Sequence, residues 1–383
     1  MNRKLRMGMI GGGPDAFIGA IHRMAAQLDG QIELVCGAFS SNPEKSKTTG
    51  KSLFLPNERV YETFQEMILK ESKMDSELRM DFVVIVTPNH LHFAPAKLAL
   101  ENGFHVVCDK PATFDLAQAK ELQLLVKQTG LVFALTHNYT GYPMVKQARA
   151  MVAKNQLGKI RKIVVEYPQG WLATRLEQTG QKQAAWRADP SKSGIAGAIG
   201  DIGTHAENLA EYITGLKITK LCADLTTFVE GRLLDDDGNM LLQFDNGAKG
   251  VLHCSQISIG EENSLAIKIY GEIGSLEWRQ PEPNTLLVKW LNKPTEIYRT
   301  GFDYLCDEAK GATRLPAGHP EGFLEAFATI YLNFVKAVRA FQLGDKNSVF
   351  DFPTIHDGVR GMQFIEKVVQ SSKSDLKWID FEN

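Results

Sequence analysis

The first third of the chain alternates short, almost wholly apolar segments with helical patterns, and this alternation limits the possible folds more than any other feature. The apolar segments include RMGMIG, IELVCGAF, DFVVIVT and HVVCD, and helical stretches such as Phe17–Leu28 lie between them. Strands that lack a polar face are typical of a parallel sheet covered by helices on both sides. We therefore predict a doubly wound α/β domain over residues 1–142.

After Ile160, strand-like segments follow one another with Gly, Asp and Asn turns and few helical patterns between them. This arrangement predicts an α+β domain over residues 143–383, built on a large, mainly antiparallel open sheet. Two helical patterns, Phe323–Leu343 and about 355–371, close the chain, and we expect them to pack back on the first domain. So few helices leave one sheet face bare, which predicts a homo-oligomer, dimer or tetramer, formed through that face.

Composition argues against several classes of function. The 383 residues include 43 Lys and Arg against 45 Asp and Glu, and a net charge of −2 offers no attraction to nucleic acid or an anionic membrane. No segment approaches the roughly 20 apolar residues of a membrane span, and the basic start lacks the apolar core of a secretion signal. Five scattered cysteines without a CxxC pair, and nine histidines without HxxxH or HExxH spacing, predict a cytoplasmic protein without a metal site.

The segment MIGGGPDAFIG places glycines directly after the first strand and before a helix. Glycines allow the backbone to approach a pyrophosphate, and the helix N-terminus supplies N–H groups and a positive dipole. Ala16 stands where the usual fingerprint has its third glycine. This Rossmann-type pattern predicts a nicotinamide dinucleotide held by Gly11, Gly13, Pro14, Ala16 and Phe17.

The second strand ends at Ser40 and Ser41, where a domain specific for NAD usually has a carboxylate for the ribose hydroxyls. No Asp or Glu follows until Glu44, and no arginine is present for a 2′-phosphate, although Lys45 is near. We expect NAD, with NADP as the alternative, and include both serines among the cofactor residues.

Two longer segments carry a resemblance to a known family. VTPNHLHFAPAKLALENGFHVVCDKPAT (86–113) resembles the T-P-N-x-x-H loop and E-K-P strand end of the glucose–fructose oxidoreductase/inositol dehydrogenase (Gfo/Idh/MocA) family, with Asp109 in place of the glutamate. WRADPSKSGIAGAIGDIGTHAENLAEYITG (186–215) resembles the family's glycine-rich stretch and D-x-x-x-H motif at Asp201 and His205. Asn208 stands where an aspartate is common. The resemblance covers about the first 220 residues.

The resemblance implies an NAD(P)-dependent dehydrogenase or reductase that transfers a hydride between nicotinamide and a secondary alcohol or ketone of a sugar or cyclitol. Lys110 would donate to the reacting oxygen, and His205 would take the alcohol proton. Asp201 would orient the imidazole or bind a neighbouring hydroxyl. Further cofactor contacts are expected where strands of the first domain end, at Thr87, Pro88, Asn89, His90, His92, Asp109, Lys110 and Asn138.

Each of these assignments has a structural alternative. Lys110 would serve equally as a solvated strand-end lysine, His205 as a helix-start histidine bonded to backbone, and Asp201 as a helix N-cap. Pro111 is expected to fix the turn after Lys110 through a cis bond.

Two loop-rich stretches, YPQGWLATRLEQTGQKQAAWRADP and LPAGHPEGF, supply candidates for the substrate side. Aromatic faces and guanidinium groups suit hydroxyl-rich sugars, although a subunit contact is the alternative for the tryptophans and arginines. With Lys110, Asp201 and His205, the predicted substrate residues are Trp171, Arg175, Trp186, Arg187 and His319.

Two other functions stay open from the sequence. One is an NAD-dependent glycosidase that oxidises a sugar hydroxyl transiently, and the other is a non-catalytic regulator that senses nicotinamide nucleotides. The presence of both Lys110 and His205 argues against the regulator. Net turnover of free nicotinamide separates a dehydrogenase from a glycosidase.

Overall fold

The computed structural model describes residues 3–14, 16–345 and 348–381. The chain divides into two compact units, Met1–Asn138 with Phe323–Val359, and Tyr139–Gly322 with Arg360–Asn383. The boundary between the units thus lies after Asn138 and not after Tyr142, and Phe323–Val359 groups with the first unit.

Helices and strands alternate in the first unit, whereas strands dominate the second. The helices are α1 (Phe17–Leu28), α2 (Pro43–Ser52), α3 (Phe64–Glu71), α4 (Phe93–Glu101), α5 (Leu116–Thr129), α6 (Pro143–Ala153), α7 (Lys182–Arg187), α8 (Pro190–Ser193), α9 (Thr204–Thr214), α10 (Asp307–Gly311), α11 (Phe323–Gln342) and α12 (Ile355–Lys373). The strands are β1 (Leu5–Gly11), β2 (Ile32–Ala38), β3 (Phe82–Val86), β4 (His105–Cys108), β5 (Phe133–Leu135), β6 (Lys162–Pro168), β7 (Ile218–Thr226), β8 (Asp237–Phe244), β9 (Lys249–Ser255), β10 (Ala266–Tyr270), β11 (Gly274–Arg279), β12 (Thr285–Trp290), β13 (Glu296–Arg299) and β14 (Trp378–Asp380).

The first unit is built on a five-stranded parallel sheet in the order β2-β1-β3-β4-β5. All five residues of β3 are buried, as the absence of a polar face in its sequence predicts. Helix α11 joins this unit because Phe327, Phe334 and Val338 lie in one core cluster with residues of β1 and β3. The predicted Rossmann-like domain is confirmed.

The second unit contains a nine-stranded sheet in the order β13-β12-β11-β10-β6-β9-β8-β7-β14. Neighbouring strands run antiparallel except β6 and β9, which are parallel. Helices α6 and α9 pack against the sheet. The large, mainly antiparallel sheet is confirmed, whereas β14 was missed because three residues are too short to show a period.

The solvent-facing side of this sheet is amphipathic rather than uniformly apolar. An apolar row crosses five neighbouring strands in register and consists of Trp378, Cys222, Leu241, Val251 and Val164. Polar rows flank it, one made of Lys220, Gln243, Lys249 and Lys162, the other of Asp224, Asn239, His253 and Glu166. Leu241 is 49% exposed, so the row is open to solvent in a single chain.

Among the helices described here, none has the length and apolar character needed to cross a membrane. Within the same residues, no cluster of three or more His, Cys, Asp or Glu side chains has an arrangement that would hold a metal ion.

Candidate active site

The chain turns sharply between β1 and α1. Gly11 and Gly12 have φ angles of +84° and +74°, in the left-handed region that favours glycine. Ala16, which precedes α1, makes no side-chain hydrogen bond that caps the helix. The turn therefore presents bare backbone and an uncapped helix N-terminus, the arrangement that binds a pyrophosphate.

Gly19, and not residue 16, takes the role of the third glycine. A Cβ on Gly19 would lie 2.3 Å from the Cα of Gly12, so α1 packs directly on the glycine turn. Close packing of helix and turn is what the third glycine of a dinucleotide-binding fingerprint permits. Gly19 lies three positions after the place of the third glycine in the usual G-x-G-x-x-G fingerprint. That place is occupied by Ala16 in this sequence.

The end of β2 is polar and leads into a shallow pocket. The Ser40 hydroxyl accepts a hydrogen bond from the N–H of Asn42 at 3.1 Å, and Ser41 is exposed. A pocket of about 310 Å³ is lined by Pro14, Glu44, Lys45 and Thr48. The carboxylate of Glu44 and the ammonium group of Lys45 thus lie beside the predicted cofactor residue Pro14. The carboxylate suits ribose hydroxyls, and the ammonium group suits a 2′-phosphate.

His92 holds the loop that follows β3. Its Nδ1 lies 2.8 Å from the carbonyl oxygen of Pro111, and its Nε2 lies 2.7 Å from that of Thr87. Burial lowers the pKa of His92. Both ring nitrogens face backbone carbonyl oxygens, and the neutral imidazole donates to one of them, so His92 supports the loop, and its contact with the cofactor stays a prediction. Asn89 and His90 remain predicted cofactor contacts. The buried Nδ1 of His90 has no hydrogen-bond partner within the described structure.

Asp109 fixes the backbone at the end of β4. Its Oδ1 accepts hydrogen bonds from the N–H of Lys110 at 3.0 Å and from the hydroxyl of Thr136 at 2.7 Å. Burial opposes its ionisation, but His22, Lys110 and Thr136 together lower the pKa of Asp109 below its usual range. The Lys110–Pro111 bond is cis, as expected. Asp109 thus orients the segment that carries Lys110.

His22, a fully buried residue of α1, is not among the residues predicted from the sequence. Its Nε2 lies 3.9 Å from Asp109 Oδ1, and its Nδ1 lies 2.7 Å from the hydroxyl of Tyr331 on α11. The one sequence signal for a role of His22 was its position on the apolar face of α1. Its two partners are distant in sequence, so nothing in the local pattern identified them.

The residues after β5 complete the carboxyl edge of the parallel sheet. Burial and the nearby Lys110 ammonium lower the pKa of His137 to about 3, so this imidazole is neutral. The buried Nδ2 of Asn138 has no hydrogen-bond partner in the part of the chain that the structure describes. Ligands of open α/β sheets bind at this edge. The unpartnered atoms of His90 and Asn138, with the glycine turn, fit a polar dinucleotide such as NAD.

In the second unit, Asp201 lies in one π-helical turn, Ile199–Gly203, that continues directly into α9. Its N–H bonds to the carbonyl oxygen of Gly197 at 3.0 Å, so Asp201 is inside the helical segment and is not its N-cap. The Oδ2 of Asp201 accepts from Arg187 Nε at 3.0 Å and from Gln256 Nε2 at 2.9 Å. The carboxylate is therefore held between a cation and an amide.

His205, in the first turn of α9, is 7% exposed and packs edge-to-face on Tyr139, with ring centroids 4.9 Å apart. The hydroxyls of Tyr139 and Tyr167 are hydrogen-bonded to each other. Asn263 bonds to both, with its Oδ1 2.7 Å from the Tyr167 hydroxyl and its Nδ2 3.3 Å from the Tyr139 hydroxyl. Burial raises the pKa of both tyrosines, which keeps them neutral. The two tyrosines and Asn263 come from three distant segments, so no local motif predicted their cluster.

Three of the predicted substrate residues come together beside Asp201. The guanidinium of Arg187 lies 4.3 Å from the ring centroid of Trp186 and 5.9 Å from that of Trp171. Arg175 and His319 are exposed, with contacts to the carbonyl oxygens of Gly231 and Pro316. Those contacts do not join them to the Asp201 cluster.

The second unit therefore supplies two indole faces, a charge-balanced Arg187–Asp201 pair and an imidazole. Such groups suit a hydroxyl-rich molecule, which they would bind through stacking and hydrogen bonds, and an imidazole is the commonest side chain for proton transfer in catalysis.

Comparison with known proteins gives two matches to family models. Residues 5–137 match an oxidoreductase family with an NAD-binding Rossmann fold, and residues 145–277 match the GFO/IDH/MocA C-terminal domain. The oxidoreductase YfiI of Bacillus subtilis is 34% identical over 390 aligned residues, which cover 100% of this chain and 98% of YfiI.

Three solved structures of two proteins have the same architecture. An inositol dehydrogenase homologue from Azotobacter vinelandii, complexed with NAD⁺, is 33% identical with a TM-score of 0.96, covering 100% of this chain and 98% of the other. The same homologue with NADH and myo-inositol has a TM-score of 0.93. An oxidoreductase from Sinorhizobium meliloti is 43% identical, with a TM-score of 0.89 and coverage of 99% and 100%.

Proposed function

The chain belongs to the Gfo/Idh/MocA family of NAD-binding oxidoreductases, and we propose that it oxidises a secondary hydroxyl of an uncharged cyclitol or sugar. The observation that carries this proposal is the Arg187–Asp201 pair, joined at 3.0 Å and flanked by Trp171 and Trp186. Four residues after Asp201, the same helical segment carries His205.

Charge balance favours an uncharged substrate. Asp201 offsets the cation of Arg187, so this pair offers no net positive charge to a sugar phosphate or a nucleotide sugar. Indole faces bind the C–H faces of a ring, while the carboxylate and the amide of Gln256 bind hydroxyls. The myo-inositol complex of the Azotobacter vinelandii homologue supports a cyclitol as the first substrate to test.

In the proposed reaction, the glycine turn with Ser40, Asn89, His90 and Asn138 holds NAD. When bound, oxidised NAD supplies the nicotinamide ring that accepts the hydride. Lys110 donates a hydrogen bond to the substrate hydroxyl and stabilises negative charge on its oxygen as the proton leaves. His205 takes that proton, and Tyr139 fixes the plane of the imidazole. Asp201 binds a neighbouring hydroxyl and so orients the ring.

The test is a substrate panel with purified protein, followed by absorbance of the reduced nicotinamide. The panel contains myo-inositol, scyllo-inositol, levoglucosan, glucose, glucose 6-phosphate and UDP-N-acetylglucosamine, each with NAD and with NADP. We expect turnover with one or more of the uncharged polyols and little with the two phosphorylated compounds. Glucose 6-phosphate as the best substrate would contradict the charge argument.

Two further outcomes distinguish the alternative functions. Hydrolysis of aryl glycosides with catalytic NAD and no net reduction would identify a glycosidase. NAD binding without turnover of any substrate would favour a nucleotide-sensing regulator. His205→Asn serves as the matched control, because it should slow polyol turnover by about 10²–10⁴-fold while leaving NAD affinity unchanged.

A further inference from the structure

The loop between β7 and β8 buries three charged side chains that the proposed reaction does not use. Asp235 is 8% exposed and Asp236 is 1% exposed, and the Arg232 side chain is 3% exposed. Burying charges is costly unless they are paired or hydrogen-bonded, so their partners indicate what the loop does. We refer to these three residues as the 232–236 brace.

Asp235 binds the start of the helical segment that carries Asp201 and His205. Its Oδ1 accepts from the N–H of Gly197 at 2.7 Å, and its Oδ2 accepts from the N–H of Ile199 at 2.8 Å. Its carbonyl oxygen also accepts from the N–H of Ala198 at 2.9 Å. A Cβ on Gly197 would lie 2.2 Å from that carbonyl oxygen, so the two segments touch through backbone. Asp235 thus replaces the missing N-cap of the segment.

Arg232 binds the loop that carries Trp171. Its Nη1 donates to the carbonyl oxygen of Leu172 at 3.0 Å, and its Nη2 donates to that of Thr174 at 3.1 Å. Its Nε and Nη2 donate to the two carboxylate oxygens of Glu177 at 3.1 and 3.0 Å. Burial opposes ionisation of Glu177, but the bonds from Arg232 prevail and lower its pKa.

Asp236 connects these two attachments. Its Oδ2 accepts from Arg232 Nη1 at 3.2 Å, and its carbonyl oxygen accepts from the N–H of Gln256 at 2.8 Å. The side chain of Gln256 in turn donates to Asp201. One short loop therefore holds the helix of His205, the amide that bonds Asp201 and the loop of Trp171.

We propose that Arg232, Asp235 and Asp236 are positioning residues of the reaction. They fix the groups that bind the polyol and the imidazole that takes its proton in one arrangement, without touching the substrate. This inference rests on the proposed function. Misplacing a catalytic group by 1 Å from a distant substitution costs up to about 10²-fold in rate, so small changes in the brace should be measurable.

The test combines an exchange measurement, which needs no substrate, with kinetics on myo-inositol. In Asp235→Asn, amide hydrogen exchange of peptides covering 197–205 should rise about 10-fold, because one N–H then faces the new amide group. In Arg232→Met, exchange should rise in peptides covering 171–178, and Arg232→Lys should restore part of the protection. The KM for myo-inositol should rise about 10-fold in Arg232→Met, with the KM for NAD unchanged, while Asp235→Asn should mainly lower kcat.

Arg59→Met is the matched control. Arg59 forms an ion pair with the buried Glu71 at 2.8 Å, and both residues belong to the first unit, whereas the brace belongs to the second. This variant should lose thermal stability without altering exchange in either segment or the KM for myo-inositol.

Unchanged exchange in both segments of the folded Arg232→Met and Asp235→Asn proteins would overturn the positioning role. So would increased exchange with wild-type kinetics. A wild-type protein that oxidises no polyol would instead contradict the proposed function, and the exchange data alone would then decide whether the brace holds these segments.

Discussion

Replacing Gly19 by alanine tests whether the glycine turn is the NAD site of the first unit. The added Cβ would lie 2.3 Å from the Cα of Gly12, whereas ordinary contact begins at 3.4 Å. The Cα of Gly12 is a backbone atom, and the added Cβ is attached rigidly to the backbone of α1. Relief of the clash therefore requires α1 and the turn to separate by about 1 Å. Overpacking of this kind costs about 1–3 kcal/mol, offset by up to about 1 kcal/mol because alanine favours a helix.

We therefore expect Gly19→Ala to lower the free energy of unfolding by about 0–2 kcal/mol, which is the overpacking cost less the full helix gain of about 1 kcal/mol. NAD affinity should fall about 10-fold or more, or ~1.4 kcal/mol, since the displaced turn no longer fits the pyrophosphate. Thermal unfolding and calorimetric titration with NAD measure both quantities. Gly311→Ala is the control, because it is also helical and its Cβ would meet nothing within 4 Å. Unchanged NAD affinity in Gly19→Ala, with stability equal to that of the control, would refute this reasoning.

Three further predictions concern catalysis, cofactor choice and assembly. Lys110→Met should lower kcat about 10²–10³-fold with unchanged NAD affinity, and Lys127→Met, a change at an exposed lysine, should behave as wild type. If Lys110→Met kept activity within a factor of about two of the wild type, Lys110 would have no role in the mechanism. Because Ser40 replaces the usual acidic residue, discrimination between NAD and NADP should be weak, and Ser40→Asp should shift the ratio of kcat/KM values towards NAD; strict NADP dependence of the wild type would contradict this. The apolar row through Leu241 should bury itself in a dimer or tetramer, so light scattering at micromolar concentration should show an oligomer that Leu241→Lys dissociates, whereas a monomeric wild type would disprove the interface.

The sequence predicted the fold well because the relevant signals are local. Buried parallel strands such as β3 are apolar throughout, and a helix with the spacing of α11 shows a 3.6-residue period. The strand β14 was not predicted, because its three residues form a strand only through pairing with β7, which is distant in sequence.

For the candidate site, motifs located the residues but not their partners. Asp201 was identified from its spacing to His205, yet its bonds to Arg187 and Gln256 join segments 14 and 55 residues away. The packing of Gly19 on the glycine turn was not predicted for a related reason, since the fixed spacing of the fingerprint points to residue 16 and does not allow for a longer turn. Burial is equally invisible in a motif, so the contacts of the buried His92 ring with the carbonyl oxygens of Thr87 and Pro111 were not predicted.

The pH dependence of polyol oxidation in wild type and His205→Asn tests the central claim most directly. A base must be neutral to accept a proton, so the rate of oxidation by the wild type should rise with pH through one ionisation, and the rate of reduction should fall over the same range. His205→Asn should lose the acidic limb and react about 10²–10⁴-fold more slowly, with NAD affinity unchanged. A variant that keeps the wild-type pH profile at a reduced rate would contradict the assignment of His205 as the base.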